Sequence, residues 1–63
     1  MKITELKKIL KASGCHFVVE GKNHEWWWSP ITGRRFQLPR HSTADVGKML
    51  MGYVREQSGV KVR

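Results

Sequence analysis

Two short runs joined by a turn decide the fold: HEWWW at residues 24–28 and RRFQL at residues 34–38. The first run is rich in aromatic side chains, which favour strands. The second run alternates apolar and polar residues, which places Phe36 and Leu38 on the same side of a strand. Between the runs, SPITG at residues 29–33 contains the proline and glycine that interrupt a strand. These features predict two neighbouring antiparallel strands.

A third run with strand character precedes these two. Residues 15–20 are rich in aromatic and β-branched side chains, which is typical of a strand. Gly21, Lys22 and Asn23 then supply turn chemistry before the next run begins. We therefore expect three strands: Cys15 to Glu20, His24 to Trp28 and Arg34 to Leu38.

Helical periodicity flanks the strands on both sides. Near the N-terminus, apolar side chains recur at helical spacing at Ile3, Leu6, Ile9 and Leu10. Near the C-terminus, the same spacing recurs at Val46, Met49, Leu50, Tyr53 and Val54. We expect Thr4 to cap the first helix and Gly14 to end it. We expect Asp45 to favour the start of the second helix and Gly59 to end it.

The order of elements is therefore α-β-β-β-α with short connections. This order favours an α+β fold with a three-stranded antiparallel sheet and both helices on one face. A chain of 63 residues is too short to divide its apolar surface between two cores, so we expect a single domain over residues 1–63. The opposite face of the sheet stays open, and we expect it to present side chains to a ligand.

Charge and cysteine content bear on partners and location. Twelve lysines and arginines against five acidic residues give a formal charge of +7, which favours nucleic acid or an acidic protein as partner. The lone Cys15 excludes an intramolecular disulfide and suits a reducing compartment. Because residues 1–10 lack the apolar core of a signal peptide, and no run is long enough to span a bilayer, we expect a cytoplasmic protein.

His24 is the first candidate for catalysis because it enters the second strand from a turn, at a rigid and reachable position. A histidine can take the proton from a 2′-hydroxyl near neutral pH, so that this oxygen attacks the adjacent phosphate. Neighbours in a strand point to opposite faces, so direct contact with Glu25 is not expected, and Asn23 is better placed to assist. The alternative is a structural or merely solvated histidine.

Four further residues are candidates for contact with phosphates. Arg34, Arg35, Arg40 and His41 lie near the two ends of the third strand. Guanidinium groups can bind phosphates through two hydrogen bonds and stabilise charge that develops during cleavage, and His41 can protonate the leaving 5′-oxygen. The alternative is a charged strand edge that keeps the sheet soluble.

The tryptophan run is the most unusual feature. Alternation places Trp26 and Trp28 on one face and Trp27 on the other. We expect the pair to pack in the core or on the sheet, and Trp27 to stack on a base or contact a partner protein. The remaining candidate donors, Cys15 and the three histidines, have no paired-ligand spacing, so neither a metal nor another cofactor is expected.

The chain resembles the HicA toxin family over nearly its whole length. The resemblance rests on an ordered set of short motifs: residues 1–11 as an opening helix, Ser13-Gly14, Asn23-His24-Glu25, Pro30 with Gly33-Arg34, and Pro39-Arg40-His41. It implies a fold similar to a double-stranded-RNA-binding domain, with His24 at the position of the family's catalytic histidine. It also implies metal-independent cleavage of messenger RNA and neutralisation by an acidic HicB-like antitoxin.

The resulting hypothesis is an endoribonuclease that needs no cofactor. His24 is its catalytic residue, and the expected RNA-binding residues are Lys22, Asn23, Arg34, Arg35, Arg40 and His41. One alternative is a non-catalytic RNA-binding module of the same fold, which reads shape and 2′-hydroxyl groups. Another is a protein-interaction module whose basic face meets an acidic partner.

Overall fold

A computed structural model of the chain describes residues 1–40 and 45–62. The helices and strands are α1 (Ile3–Ala12), β1 (His16–Glu20), β2 (His24–Ser29), β3 (Arg34–Pro39) and α2 (Lys48–Ser58). This order confirms the predicted α-β-β-β-α arrangement and the α+β class.

The three strands form one antiparallel sheet in the order β1-β2-β3. The central strand β2 pairs Trp27 with Phe17 on one side and with Phe36 on the other. The register between β1 and β2 shifts between Phe17 and Val19, so β1 contains an irregularity of the bulge type. Residues paired across strands share a face of the sheet, and this register therefore decides which side chains face the helices.

The core lies between the sheet and the two helices. Trp27, Phe36 and Leu38 cover one face of the sheet and are almost fully buried. Leu6 and Leu10 from α1 and Val54 from α2 belong to the same buried cluster, as do Val60 and Val62 after α2. Both helices therefore pack on one face, as predicted, and the other face is open.

The helices begin at different residues from those predicted. The prediction that Thr4 caps α1 is wrong, because α1 begins at Ile3 and follows Lys2, whose backbone is extended. Lys2 pairs with Asp45 in an isolated antiparallel bridge, and their side chains form an ion pair of 3.1 Å. The same bridge explains why α2 begins only at Lys48 and why Asp45 lies outside its first turn.

The end of α2 agrees with the prediction. Gly59 adopts a left-handed conformation with φ 73°, and its N–H donates to the carbonyl of Arg55. A residue with a side chain is strained in this conformation, so glycine at this position gives α2 a defined end.

The two edges of the sheet differ. On the β3 edge, the Gln37 N–H donates to the Tyr53 hydroxyl of α2 over 3.1 Å. Pro39 lies two residues after Gln37 and faces the same edge, but proline has no backbone N–H to donate there. The β1 edge carries the irregularity and three large apolar side chains that are 41–50% exposed: Phe17, Val18 and Val19.

Candidate functional site

His24 is exposed at the start of the central strand, and its backbone is held tightly. Its carbonyl oxygen accepts a hydrogen bond of 2.7 Å from the Gly21 N–H, which closes the turn between β1 and β2. A Cβ atom on Gly21 would lie only 2.9 Å from that same oxygen, so this close approach requires glycine. The imidazole is thus accessible to solvent on a rigid backbone.

The turn beside His24 gathers three of the predicted RNA-binding residues. Lys22 and Asn23 are both exposed within the turn. The Arg40 guanidinium donates to the Lys22 carbonyl over 3.0 Å and forms an ion pair of 2.8 Å with the Glu20 carboxylate. Arg40 therefore ties β3 to the turn, and its side chain still remains 42% exposed.

The other two predicted arginines lie at the far end of β3. His24 pairs with Pro39, whereas Arg34 pairs with Ser29. Pro39 lies five positions after Arg34, which corresponds to about 16 Å along a strand. Arg34 and Arg35 are exposed, but they do not surround His24. The prediction for His41 lies outside the described residues.

Glu25 belongs to the helix side of the sheet. Its carboxylate forms an ion pair of 2.6 Å with Lys7 of α1 and accepts a hydrogen bond of 2.9 Å from the Trp27 indole N–H. Burial raises the pKa of the Glu25 carboxyl, but the hydrogen bonds from Lys7 and Trp27 and the charges of Lys7 and Arg40 together lower it below its ordinary value. Glu25 thus stabilises the packing of α1, on the face opposite to the expected side of His24.

The expectation that Trp27 contacts a base or a partner is wrong, and of the two alternatives for Trp26 and Trp28 the structure has the sheet face and not the core. Trp27 is only 2% exposed and lies in the core, whereas Trp26 and Trp28 are partly exposed on the open face. The sequence contained the signal for this arrangement in the length of the connection after β2. Because that connection pairs Ser29 with Arg34, Trp27 lies opposite the apolar Phe36.

The pairing register places the side chains of the open face in three rows that run across the strands. The rows are His16, Trp28 and Arg35; Val19, Trp26 and Gln37; and His24 with Pro39. The His16 and Trp28 rings are in contact, with centroids 5.4 Å apart and planes tilted by 40°. Sequence reasoning missed His16 as a member of this surface, because only the cross-strand register places it beside Trp28.

A metal site and a membrane-spanning helix are both absent from residues 1–40 and 45–62. In these ranges, no three side chains of the histidine, cysteine, aspartate and glutamate types come together as they would around a metal ion. Neither α1 nor α2 has the length and apolar character needed to cross a membrane. A surface pocket of about 320 Å³ lies along α2, and its lining residues come from Val46 to Arg55 rather than from the sheet.

In comparisons with family models, with curated proteins and with solved structures, no significant match to this chain was found.

Proposed function

We propose that this chain is a cytoplasmic endoribonuclease toxin that cleaves messenger RNA without a metal and is neutralised by an acidic, HicB-like antitoxin. The observation that carries the proposal is the exposed imidazole of His24 at the start of the central strand, on a backbone held by Gly21. The resemblance of the sequence motifs to the HicA family, with its fold similar to a double-stranded-RNA-binding domain, agrees with this assignment. The charge of +7 suits both RNA and an acidic antitoxin.

In the proposed reaction, His24 acts as general base. Its imidazole takes the proton from a ribose 2′-hydroxyl, and the resulting oxygen attacks the adjacent phosphorus. The bond from phosphorus to the 5′-oxygen breaks, and the leaving oxygen takes a proton from solvent water, to which the His24 imidazolium then returns the proton it took. The products are a 2′,3′-cyclic phosphate and a 5′-hydroxyl, so atoms balance without a co-reactant.

The residues around His24 supply charge for the same step. The exposed Lys22 ammonium provides a cation in the turn two residues before His24, and the Asn23 amide can donate to a phosphate or ribose oxygen. Arg40 holds the turn in place through its bonds to Glu20 and Lys22, and the guanidinium N–H groups that these bonds do not use can contact the RNA phosphates. Arg35, in the row of Trp28 on the open face, can bind RNA further along the strand, whereas Arg34 pairs with the buried Ser29 and shares the face of Phe36.

The proposal is tested by incubating a defined single-stranded RNA with the protein in EDTA and resolving the products on a denaturing gel. We expect His24→Ala to reduce the cleavage rate by about 10²- to 10⁴-fold, the usual contribution of a general base. Met49→Ala is the control, because Met49 is 92% exposed on α2 and belongs to no part of the site. Equal cleavage by wild type and His24→Ala would exclude His24 as the base.

A second candidate function is a non-catalytic RNA-binding module. The partly exposed Trp26 and Trp28 favour it, since aromatic side chains on an open sheet suit base contacts and require no chemistry. This function predicts RNA binding that survives His24→Ala, with no products from either protein. The gel assay, run beside a binding measurement, therefore separates the two functions.

A further inference from the structure

We propose that the open face of the sheet is a stacking platform for two unpaired bases of single-stranded RNA, one on Trp28 and one on Trp26. This inference rests on the proposed function in taking RNA as the ligand, and it adds how that RNA is read. Both indoles are partly exposed, and no helix of the described chain covers them. Their neighbour Trp27 already supplies the aromatic side chain that the core requires.

The rows of the open face give each stacked base a defined set of neighbouring side chains. Trp28 has the His16 ring against it on one side and Arg35 as its cross-strand partner on the other. An indole beside a second aromatic ring can stack on a base, and the adjacent guanidinium can bind the phosphate of the same nucleotide. Trp26 has the apolar Val19 on one side and the Gln37 amide on the other, which suits a base with polar edges.

The platform leads towards His24. His24 precedes Trp26 by two residues and Trp28 by four on the same strand and face, which corresponds to about 7 Å and 13 Å. A strand of RNA whose bases occupy both indoles therefore continues towards the imidazole. The two stacked bases would lie on one side of the bond that is cut, and they would hold the ribose next to His24 in position.

The charge distribution favours RNA over an acidic protein as the occupant. All five acidic residues lie off the open face: Glu5 on α1, Glu20 and Glu25 on the helix side, Asp45 beside Lys2, and Glu56 on α2. The face therefore repels no polyanion, but its centre is aromatic and not cationic. Stacking on indoles requires a planar group, which every nucleotide of RNA supplies and the carboxylate side chains of an acidic protein do not.

Unpaired bases are required because bases within a duplex are stacked on each other and cannot reach the indoles. The test therefore uses the full chain with His24→Ala, so that RNA is bound but not cut. The probes are a single-stranded RNA oligomer, the same oligomer in a duplex, and poly-glutamate as a polyanion without bases. Binding is followed by quenching of tryptophan emission and, independently, by fluorescence anisotropy of labelled RNA.

We expect the single-stranded RNA to bind more tightly than the duplex and to quench the emission of Trp26 and Trp28. Trp28→Ala should weaken this binding by roughly 5- to 100-fold, in line with the loss of one stacked base. Trp28→Phe should retain most of the affinity, because it keeps an aromatic ring. Phe17→Ala is the matched control: Phe17 is 47% exposed on β1 but shares its face with Trp27, so RNA affinity should not change.

Three results of the binding experiments would overturn the platform. One is saturable RNA binding without quenching in the parent chain, a result that does not depend on any tryptophan variant folding. The second is equal affinity of Trp28→Ala and its parent for single-stranded RNA. The third is poly-glutamate competing as strongly as RNA, which would identify an acidic protein as the occupant.

The cleavage assay separates this inference from the proposed function. RNA cleavage that depends on His24 but is indifferent to Trp28→Ala would refute the platform and leave the ribonuclease intact. Binding that depends on Trp28 without any cleavage would support the platform and refute the catalytic role of His24.

Discussion

The ion pair between Lys7 and Glu25 connects α1 to the sheet, and we expect Glu25→Gln to destabilise the fold strongly. The two side chains are only 17% and 14% exposed, and their charged atoms are 2.6 Å apart. The same Glu25 oxygen also accepts the hydrogen bond from the Trp27 indole. The amide of glutamine can still accept that bond, so the substitution chiefly leaves the Lys7 ammonium in a shielded position without its counter-charge.

The magnitude follows from the burial of the pair. A hydrogen bond to a charged group contributes about 1.5–3 kcal/mol, and removal of one partner from a shielded pair leaves the other uncompensated. We therefore expect Glu25→Gln to lower the free energy of unfolding by about 2 kcal/mol. A domain of this size has roughly 3–9 kcal/mol in total, and a loss of 2 kcal/mol corresponds to a fall in Tm of about 8–16 °C.

The neighbouring ion pair provides a matched control. Glu20 and Glu25 lie opposite each other on β1 and β2, and Glu20 pairs with Arg40 over 2.8 Å. Those side chains are 58% and 42% exposed, so solvent screens the pair, and Glu20→Gln should cost less than about 1 kcal/mol. The double variant Lys7→Met with Glu25→Gln should recover part of the loss, because no unpaired charge remains.

The pH dependence of the same variants follows from the lowered pKa of Glu25. A carboxyl whose pKa is lower in the folded state adds stability above its ordinary value of 4.5, and this stability is lost as the pH falls through the folded-state pKa. The difference between wild type and Glu25→Gln should therefore be largest at about pH 7 and shrink towards about pH 3. Urea unfolding followed by circular dichroism measures both quantities. Equal losses for Glu25→Gln and Glu20→Gln at neutral pH would refute the reasoning.

Three other substitutions test the helix α2 and the packing around it. Gly59→Ala should lower the free energy of unfolding by about 1–2 kcal/mol, because the residue has φ 73° and a Cβ atom would lie 2.8 Å from Ile31 Cγ2. Gly52→Ala, where a Cβ atom meets open space, should instead stabilise α2 by about 1 kcal/mol. Changes of the same sign in the Tm of both variants would contradict this prediction. Ser29→Ala should cost about 1–3 kcal/mol, because the buried Ser29 hydroxyl donates to the Ser58 carbonyl and accepts from the Ile31 N–H. A change in Tm under about 2 °C in the Ser29 variant would show that the contact is not stabilising.

The element order was predictable because local patterns sufficed for it. Periodicity in α1 and α2, turn residues at Gly21 and the proline and glycine after β2 each act within a few residues. The helix starts were less predictable, since the bridge between Lys2 and Asp45 joins opposite ends of the chain. No local signal marks such a contact, and it displaces the start of α2 to Lys48.

In the candidate site too, local patterns predicted some features and long-range pairing decided the others. The position of His24 at the start of a strand follows from the turn before it, and sequence alone sufficed to propose it. The roles of Trp26 and Trp28 required the pairing register, since alternation says which residues share a face but not which face is buried. Burial was decided by Phe36 and Leu38 of β3, which lie with Trp27 on the helix side.

The unequal edges of the sheet set a limit on self-association. On the β3 side, the Tyr53 hydroxyl occupies the Gln37 N–H and Pro39 offers none, so an added strand finds few donors there. On the β1 side, Phe17, Val18 and Val19 are exposed. If two copies join through their β1 strands, both blocked edges face outwards and the assembly closes as a symmetric pair. Fibre growth by strand-to-strand addition requires two edges that can pair, and residues 1–40 and 45–62 present one.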